Sequence, residues 1–419
     1  MTRNRFFYGW IVVAVTVLVV LVTAGIRSAP GAFIVTMVKE PGWSTGSVSF
    51  AAAVGLVVFG LSGPLSASLM GRIGVRNVVL LSLVVTAASL AVTSLVREIW
   101  QLTLTFGLLS GLGTGLVASV LAPTVATRWF VRHRGLVTGI LGASSSAGQL
   151  VFFPFLTTLA VVADWRLASL VLAGLSVALI GPVLLWVRND PADVSSRPLG
   201  VPAGRIAPTP APDRGVMRRA IRTSDFWFLA GTFFVCGATS NGLIGQHFIP
   251  HAVDHGFTAV EASTALAFMG VFNFIGTVAS GWLTDRWDPR RLLLIYYGFR
   301  GLSLLFVPFI HDTLTIGAFA ILFGLDYIAT VPPTVALVAD RFGRHNVGVV
   351  YGWVFAAHML GAAIAAWVAG IVREHVGDYA AAFVAAGWIA MIAGFAALAI
   401  RRPSGADPSA GPSMAPDPA

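Results

Sequence analysis

Long apolar stretches alternate with short polar connections along most of the chain. Each stretch holds about 20 or more mostly apolar residues, which is the length that crosses the hydrocarbon core of a bilayer as an α-helix. Twelve stretches of this kind are present, at residues 8–37, 45–70, 76–96, 99–129, 134–161, 165–188, 224–252, 258–284, 290–310, 313–339, 346–372 and 379–400. The pattern therefore predicts an all-α membrane protein with twelve transmembrane helices. The first stretch shows no clear cleavage site after it, and we interpret it as a permanent span.

Two regions of different composition interrupt this pattern. Residues 189–222 are rich in Pro, Gly and Arg, which is typical of a mobile loop between two units. Residues 403–419 are rich in Pro, Ser and Ala and are predicted to be a disordered tail. The chain thus divides into a helical unit at 1–188, a linker loop, a second helical unit at 223–402 and the tail.

The two helical units resemble each other at an offset close to 214 residues. The segment GWSTGSVS at Gly42 matches GFTAVEAS at Gly256, and SLMGRIGVR at Ser68 matches WLTDRWDPR at Trp282. A third pair, PTVATRWFVRHRGLVTG and PTVALVADRFGRHNVGVVYG, begins at 123 and 333. Three separate anchors indicate an internal repeat of six helices plus six, so we expect two similar six-helix bundles.

The composition and the positions of the charges agree with this plan. Hydrophobic residues make up 56% of the chain and charged residues 11%, whereas soluble domains carry about 25% charged residues. With both termini cytoplasmic, the cytoplasmic side receives 21 Lys or Arg and 9 Asp or Glu, and the other side receives 4 and 8. This asymmetry follows the positive-inside rule and predicts a multi-pass protein of the inner (plasma) membrane. A nucleic-acid partner is not expected, because binding would need a focused basic face.

The sequence gives no sign of enzyme chemistry. The single cysteine, Cys236, excludes a disulfide framework and a cysteine metal site. The chain has no H-E-x-x-H motif, and GASSSAG around Ser145 lacks the G-x-S-x-G pattern of a nucleophile elbow. We therefore expect neither catalysis nor a metal or cofactor.

One loop motif carries a family resemblance. The stretch GWLTDRWDPRR from Gly281 resembles the G-x-x-x-D-R-x-G-x-R-R loop of major facilitator transporters, with Asp288 in place of a glycine. The first-half copy has Gly71 where the acidic residue normally lies. The resemblance implies the major facilitator fold, in which two bundles rock about a central site. It also implies a cytoplasmic gate, to which we assign Arg72, Asp285, Arg286, Asp340 and Arg341.

A second, looser resemblance concerns the substrate. FYGWIVVAV, GIRSAPGAF, RGLVTGILGASSSAG and AAHMLGAAIAAWVAG are similar to segments of bacterial monocarboxylate and oxalate–formate transporters. This resemblance implies small organic anions, moved with a proton or by anion exchange. The chain departs from the group on helix 8, where Asn273 and Thr277 stand in place of a frequent Asp and Arg.

Three fixed charges lie well inside predicted spans: Arg27, Arg300 and Asp326. Each costs at least about 2.5–3.5 kcal/mol on insertion scales, so each needs a functional or structural reason. Arg27 lies on the first helix, which lines the central cavity in the family that the chain resembles. We predict that Arg27 binds a substrate carboxylate through paired N–H groups. The alternative is that its side chain extends to the outer surface.

Three polar residues accompany Arg27 as predicted substrate ligands. The repeat places Asn241 opposite Arg27, and an amide is an uncharged donor for an anion. His247 and His358 are further candidates, as ligands or titrating groups. For His247 an ordinary interfacial position explains the residue equally well, and for His358 a packing role does.

Arg300 and Asp326 lie on consecutive helices at similar depth, so we predict that they form an ion pair. Two interpretations of the pair remain. It either fastens helices 9 and 10, which we favour, or carries a proton during transport.

The sequence as a whole predicts a secondary transporter of small organic anions that functions as a monomer in the lipid bilayer. The first alternative is an exporter of drug-like or amphipathic compounds from the same superfamily. The second is a membrane sensor without transport activity.

Overall fold

The computed structural model describes residues 7–118, 120–130, 133–200, 213 and 215–401. This part of the chain contains twelve long helices. They are α1 (Gly9–Met37), α2 (Thr45–Ile73), α3 (Val75–Thr93), α4 (Ile99–Trp129), α5 (Arg134–Val162), α6 (Trp165–Trp186), α7 (Ser224–Asp254), α8 (Ala259–Thr284), α9 (Pro289–Phe306), α10 (Thr313–Phe342), α11 (Val347–Val376) and α12 (Ala380–Ala397). Each is long and apolar enough to cross a bilayer. The chain is therefore a multi-pass membrane protein, as the sequence predicts.

The helices form two bundles of six, α1–α6 and α7–α12. The linker joins Trp186 at the end of α6 to Ser224 at the start of α7. We call the side of the protein where these ends lie the linker face and the opposite side the distal face. The predicted tail at 403–419 lies outside the described residues.

The internal repeat encodes the same turn and helix cap in both bundles. Gly42 and Gly256 have φ angles of 78° and 92°, a conformation that glycine adopts without strain. Ser44 then caps α2 by accepting a hydrogen bond from the Ser47 amide, and Thr258 caps α8 by accepting one from the Glu261 amide. The matching sequence segments thus fold into matching helix starts.

Three helices depart from regular α-helix in their middle. Residues Thr103–Leu109 of α4 and Ala238–Ile244 of α7 form π-helical turns. The regular helix in α10 stops at Asp326 and resumes at Val331. Such interruptions leave backbone carbonyls without their usual partners, which is tolerated in a membrane only inside the protein or beside a cavity.

The described part of the linker contains short elements of secondary structure. Residues Pro191–Val194 form a 3-10 turn, and the amide of Leu199 donates to the carbonyl oxygen of Trp129 at 2.9 Å. A short helix at Val216–Ala220 buries its apolar residues beneath the second bundle. The prediction of a mobile linker loop at 189–222 stays a prediction, although these two segments have local structure. Residues 201–212 and 214 lie outside the described part.

The two bundles touch in the distal half and at mid-depth. The pairs α2 with α11 and α5 with α8 pack along each other. A Cβ atom added to Gly31 would lie 2.2 Å from the carbonyl oxygen of Gly245 in the other bundle. The amide of Gly46 donates to the Glu374 carboxylate across the interface at 3.1 Å. The distal side is thus closed by direct contact between the bundles.

Toward the linker face the same helices no longer meet. Gly139 and Gly142 continue the stripe of α5 that packs on α8, and Gly348 and Gly352 continue the stripe of α11 that packs on α2. A Cβ atom at any of these four positions would meet no atom within 4 Å. The central space therefore widens toward the linker face.

On the distal face, one ion pair joins three loops between helices. Glu40 accepts hydrogen bonds from the Arg166 guanidinium and the Trp165 indole, and Arg166 also donates to the carbonyl oxygen of Val96. The hydrogen bond from Arg166 lowers the pKa of Glu40 from its ordinary value. The stabilising contribution is present above the ordinary pKa of Glu and is lost as the pH falls through the lowered pKa.

We predict that Glu40→Gln lowers the free energy of unfolding by about 0.5–1 kcal/mol at pH 7, as for other partly exposed pairs. The difference in the free energy of unfolding between this variant and the unchanged protein should become smaller as the pH falls below about 4. Protonation of Glu40 then removes the same charge that the substitution removes. Thermal unfolding in detergent between pH 7 and pH 3.5 measures both quantities. A difference that stays constant over this range would show that the ion pair is not its cause.

Candidate functional site

A pocket lies at mid-depth where the first bundle faces the second, and eleven of its twelve lining residues belong to the first bundle. Helices α1, α2, α4 and α7 line it. The apolar part of its wall includes Leu56, Phe59 and Phe106, and the polar part is Arg27, Ser110, Thr114 and Gln246. One charged group thus faces a mainly apolar pocket with a few uncharged polar groups, the usual composition of a small-molecule site.

Arg27 is the charged group of this pocket and lies in the middle of α1. Its Nη2 donates to the Ser145 hydroxyl at 3.2 Å, and its guanidinium carbon lies 5.5 Å from the centre of the Phe59 ring. Among the described residues, no carboxylate lies within 4 Å of this guanidinium. Arg27 therefore offers several N–H donors to an anion that enters the pocket.

A chain of hydrogen bonds runs through the second bundle at the helix breaks of α7 and α10. The Tyr327 hydroxyl donates to Asn241 Oδ1 at 3.2 Å, and Asn241 Nδ2 lies 3.2 Å from His358 Nε2. His358 Nδ1 lies 3.2 Å from the carbonyl oxygen of Phe233, which can only accept. The His358 proton is thus assigned to Nδ1, and Nε2 accepts from Asn241.

The structure places the predicted substrate ligands in two sets. Arg27 lines the pocket directly, and Asn241 and His358 are hydrogen-bonded to each other in the second bundle. The Asn241 carbonyl oxygen accepts from the pocket residue Gln246 at 3.4 Å. Their predicted roles as ligands remain predictions.

His247 lies elsewhere. Its ring is fully buried, Nε2 donates to the carbonyl oxygen of Ala366 on α11 at 2.7 Å, and the ring packs against Tyr379. It is not among the residues that line the pocket. In this conformation His247 is a contact between α7 and α11, which agrees with the alternative explanation that the sequence left open.

Arg300 and Asp326 are in direct contact in the core of the second bundle. Arg300 Nε donates to Asp326 Oδ2 at 2.6 Å, and the exposed fractions of the two side chains are 0% and 2%. The remaining donors of Arg300 reach neutral acceptors. Nη2 donates to the carbonyl oxygens of Asp326 and Tyr327, and Nη1 lies within hydrogen-bond distance of Thr239 and Cys236.

This arrangement places Arg300 at the break in α10. The carbonyl oxygens of Asp326 and Tyr327 belong to the end of the first half of that helix, where the backbone lacks helical donors and the helix dipole is negative. A cation that donates to these carbonyl groups stabilises the break. Arg300 thus joins α9 to α10 and holds the Tyr327 carbonyl group, and the Tyr327 hydroxyl begins the hydrogen-bonded chain to Asn241 and His358.

The two residues that replace the expected pair on α8 form a neutral contact. Asn273 is buried, and its Nδ2 donates to the Ser146 hydroxyl of the first bundle at 3.3 Å. The Thr277 hydroxyl donates to Asn273 Oδ1 at 3.2 Å. This part of the interface therefore carries hydrogen bonds and no charge.

The predicted gate residues do not meet one another in this conformation. Arg72, Asp285, Arg286 and Asp340 are exposed at the linker face, where the bundles are apart. Arg286 donates to the Trp282 carbonyl oxygen, one turn earlier on α8. Arg341 pairs with the buried carboxylate of Asp225 at 2.6 Å within the second bundle. The gate assignment remains a prediction for a conformation in which this side closes.

Several residues of the site were not predicted from the sequence, namely Tyr327, Gln246, Ser110 and Thr114. Two signals point to them in retrospect. Tyr327 directly follows the intramembrane acid, and Gln246 is a polar residue in an apolar turn of α7. Ser110 and Thr114 resemble many small polar residues that pack between helices, so the sequence alone gives no reason to choose them.

Comparison with known proteins agrees with this architecture. The family model described as Major Facilitator Superfamily matches residues 16–330 and, again, 252–416. Monocarboxylate transporter 11 of Mus musculus is 28% identical over 393 residues, covering 90% of this chain and 84% of that protein. An uncharacterised MFS-type transporter of Bacillus subtilis (strain 168), YcxA, is 25% identical and covers 74% of each chain.

Solved structures show the same fold at low sequence identity. A crystal structure of a D-xylose–proton symporter is 14% identical and superposes with a TM-score of 0.74 over 94% of this chain and 98% of that one. A bacterial homologue of the human lysosomal transporter Spinster, in an inward-facing and unoccupied conformation, is also 14% identical with a TM-score of 0.74. It covers 97% of this chain and 100% of its own.

Proposed function

This chain belongs to the Major Facilitator Superfamily, and from that premise we propose that it transports small organic anions of the monocarboxylate type. The observation that carries this proposal is Arg27, a guanidinium without a carboxylate partner among the described residues, which faces the pocket between the two bundles. A carboxylate fits it through two parallel N–H bonds, which are stronger than bonds between neutral groups. The apolar wall formed by residues such as Leu56 and Phe106 suits the carbon skeleton of an organic acid.

The relatives support the same class of substrate. Several are named monocarboxylate transporters at about one quarter sequence identity, and they match most of this chain. Their name is a reason to test monocarboxylates first.

We infer that transport proceeds by alternating access. The bundles meet on the distal side and have open space at the interface glycines toward the linker face, which supports a conformation that is closed on one side. Rocking of the bundles about the pocket would open the other direction. Under the positive-inside rule the linker face and both termini lie in the cytoplasm, and the protein resides in the inner (plasma) membrane. One chain contains the whole pocket, so a monomer suffices for transport.

The test is uptake by proteoliposomes that contain the purified protein. Labelled lactate, pyruvate, oxalate and longer monocarboxylates are offered beside a neutral and a cationic dye. We expect saturable uptake of at least one monocarboxylate and competition by unlabelled acid. Uptake of the dyes without uptake of any carboxylate would favour an exporter of amphipathic compounds. The apolar wall of the pocket would then bind the apolar part of such compounds.

A further inference from the structure

An apolar groove lies on the outer side of the second bundle, between α7 and α12. Its walls include Trp227, Phe228 and Val235 on α7 and Ile389 and Ile392 on α12. The exposed fractions of Ile389 and Ile392 are 50% and 66%, and exposed apolar side chains in the middle of a membrane span face the hydrocarbon of the bilayer. The groove shares no lining residue with the pocket that contains Arg27. It is therefore a separate surface that opens toward lipid.

Gly231 leaves this groove open along α7. A Cβ atom at Gly231 would meet no atom within 4 Å. The hydroxyl of Thr232, which also lines the groove, donates to the carbonyl oxygen of Phe228 at 2.8 Å and so needs no partner from outside. From Trp227 to Val235 the groove is about 12 Å long at a rise of about 1.5 Å per residue, which fits within the depth of about 15 Å of one leaflet. Its length and polarity suit an acyl chain.

Trp227 marks the end of the groove at the linker face. Its side chain is 62% exposed, and its indole N–H donates to the carbonyl oxygen of Ile221 at 2.8 Å. Tryptophan rings concentrate at the level of the lipid headgroups, with one side in hydrocarbon and the other near water. The residues that come just before α7 therefore lie at headgroup level.

Three exposed arginines lie at this end of the groove. Arg218 and Arg222 come shortly before α7, and Arg401 comes shortly after α12. The backbone amide of Arg401 donates to the Asp225 carboxylate in the first turn of α7 at 3.0 Å, which brings the two helix ends together. Within the described ranges, none of the three guanidinium groups lies within 4 Å of a carboxylate.

The carboxylates of this region already have other partners. Asp225 is buried and pairs with Arg341 at 2.6 Å. Asp213 accepts hydrogen bonds from Arg219 at 3.1 Å and from the Asn346 amide group at 3.0 Å. The positive charge of the three exposed arginines is therefore not balanced by these carboxylates, and it lies where the headgroup of a lipid would lie.

We propose that this edge of the second bundle binds one anionic phospholipid, with an acyl chain in the groove between α7 and α12 and the headgroup against Arg218, Arg222 and Arg401. Basic residues next to a membrane span attract anionic lipids, and the groove adds apolar contact for the chain. The bound lipid bridges the segment before α7 and the segment after α12. This inference concerns the lipid-facing surface, so it does not depend on the substrate that the protein transports.

The first experiment measures lipid binding to the purified full-length protein in detergent by native mass spectrometry. Phosphatidylglycerol and phosphatidylcholine with identical acyl chains are compared, and we expect the anionic lipid to bind at least about ten-fold more tightly. The double variant Arg222→Gln with Arg401→Gln should weaken binding of phosphatidylglycerol by about 30-fold, at about ten-fold or slightly less per arginine. The matched control is Arg188→Gln with Arg197→Gln, which removes two arginines of the linker next to α6 and should leave the affinity unchanged.

The second experiment fills the groove without changing its charge. Gly231→Phe should weaken binding of phosphatidylglycerol at least about ten-fold, because the added ring takes the place of the acyl chain. Gly231→Leu is the smaller second variant if Gly231→Phe does not fold. The matched control is Gly174→Phe on α6, where a Cβ atom also meets no atom within 4 Å, and this variant should bind the lipid normally.

Three results would overturn the proposal. Equal affinity for the two lipids would show that the arginines do not select an anion. Unchanged affinity in a folded Gly231 variant would show that the groove does not hold the chain. Complete displacement of phosphatidylglycerol by excess inorganic phosphate would show that the arginines bind a soluble anion and that the acyl chain adds nothing.

Discussion

Replacing Arg27 by glutamine is expected to reduce carboxylate transport by at least about 100-fold, since two charge-assisted hydrogen bonds of about 1.5–3 kcal/mol each are lost. The glutamine side chain keeps one donor toward the pocket but supplies neither the charge nor the paired geometry. The loss should be larger in a pocket with apolar walls than at an exposed site, because excluded water does not screen the charge. The measurement is the initial rate of uptake of the labelled monocarboxylate into proteoliposomes at equal protein content.

Two controls separate a role in binding from a role in folding. Arg27→Lys keeps the charge without the planar fork and should retain part of the activity. Arg97→Gln removes an arginine that is exposed on the distal face and should transport at the original rate. Normal uptake of the labelled monocarboxylate by a folded Arg27→Gln variant would contradict both the site and the proposed substrate class.

The second large effect concerns stability. Arg300→Gln should lower the free energy of unfolding by about 3–5 kcal/mol, because it leaves the buried Asp326 carboxylate without its partner. It also removes the donors that reach the carbonyl oxygens of Asp326 and Tyr327 at the break in α10. We expect a marked fall in the apparent melting temperature in detergent.

The double variant, Arg300→Gln with Asp326→Asn, should recover part of this loss. It removes the unpaired charge but does not restore all the hydrogen bonds to the α10 carbonyl groups, so recovery should be incomplete. The matched comparison is the partly exposed pair of Arg373 and Asp254, for which the same cycle should give about 1 kcal/mol or less. A double variant no more stable than Arg300→Gln would show that the ionic bond is not what holds α9 to α10.

The fold could be predicted from the sequence because the membrane imposes strong constraints on it. Each span must be apolar over about 20 residues, and the backbone must satisfy its own hydrogen bonds as a helix. The twelve stretches and the repeat therefore predicted the helices, whose observed bounds differ from the predicted ones by a few residues. The repeated turns at Gly42 and Gly256 could also be identified, since helix caps depend on local sequence.

The candidate site was predicted only in part. A fixed charge inside a span is conspicuous in any sequence, so Arg27, Arg300 and Asp326 could be named. Their partners could be anticipated only where the helices are consecutive, as for Arg300 and Asp326. Ser110 and Thr114 look like ordinary packing residues in the sequence, and the signals for Tyr327 and Gln246 can be recognised only once the pocket and the break in α10 are known.

The sequence by itself thus determined the twelve membrane-spanning helices, the two similar halves and the small set of charges that need an explanation. The tertiary structure decided which of these charges are neutralised and which remains open. It pairs Arg300 with Asp326 at the break in α10, places His247 against Ala366 away from the pocket, and leaves Arg27 facing the space between the bundles. The physical reason is that hydrophobicity acts along each segment separately, whereas the pairing of charges depends on how helices distant in the sequence rotate and pack against one another.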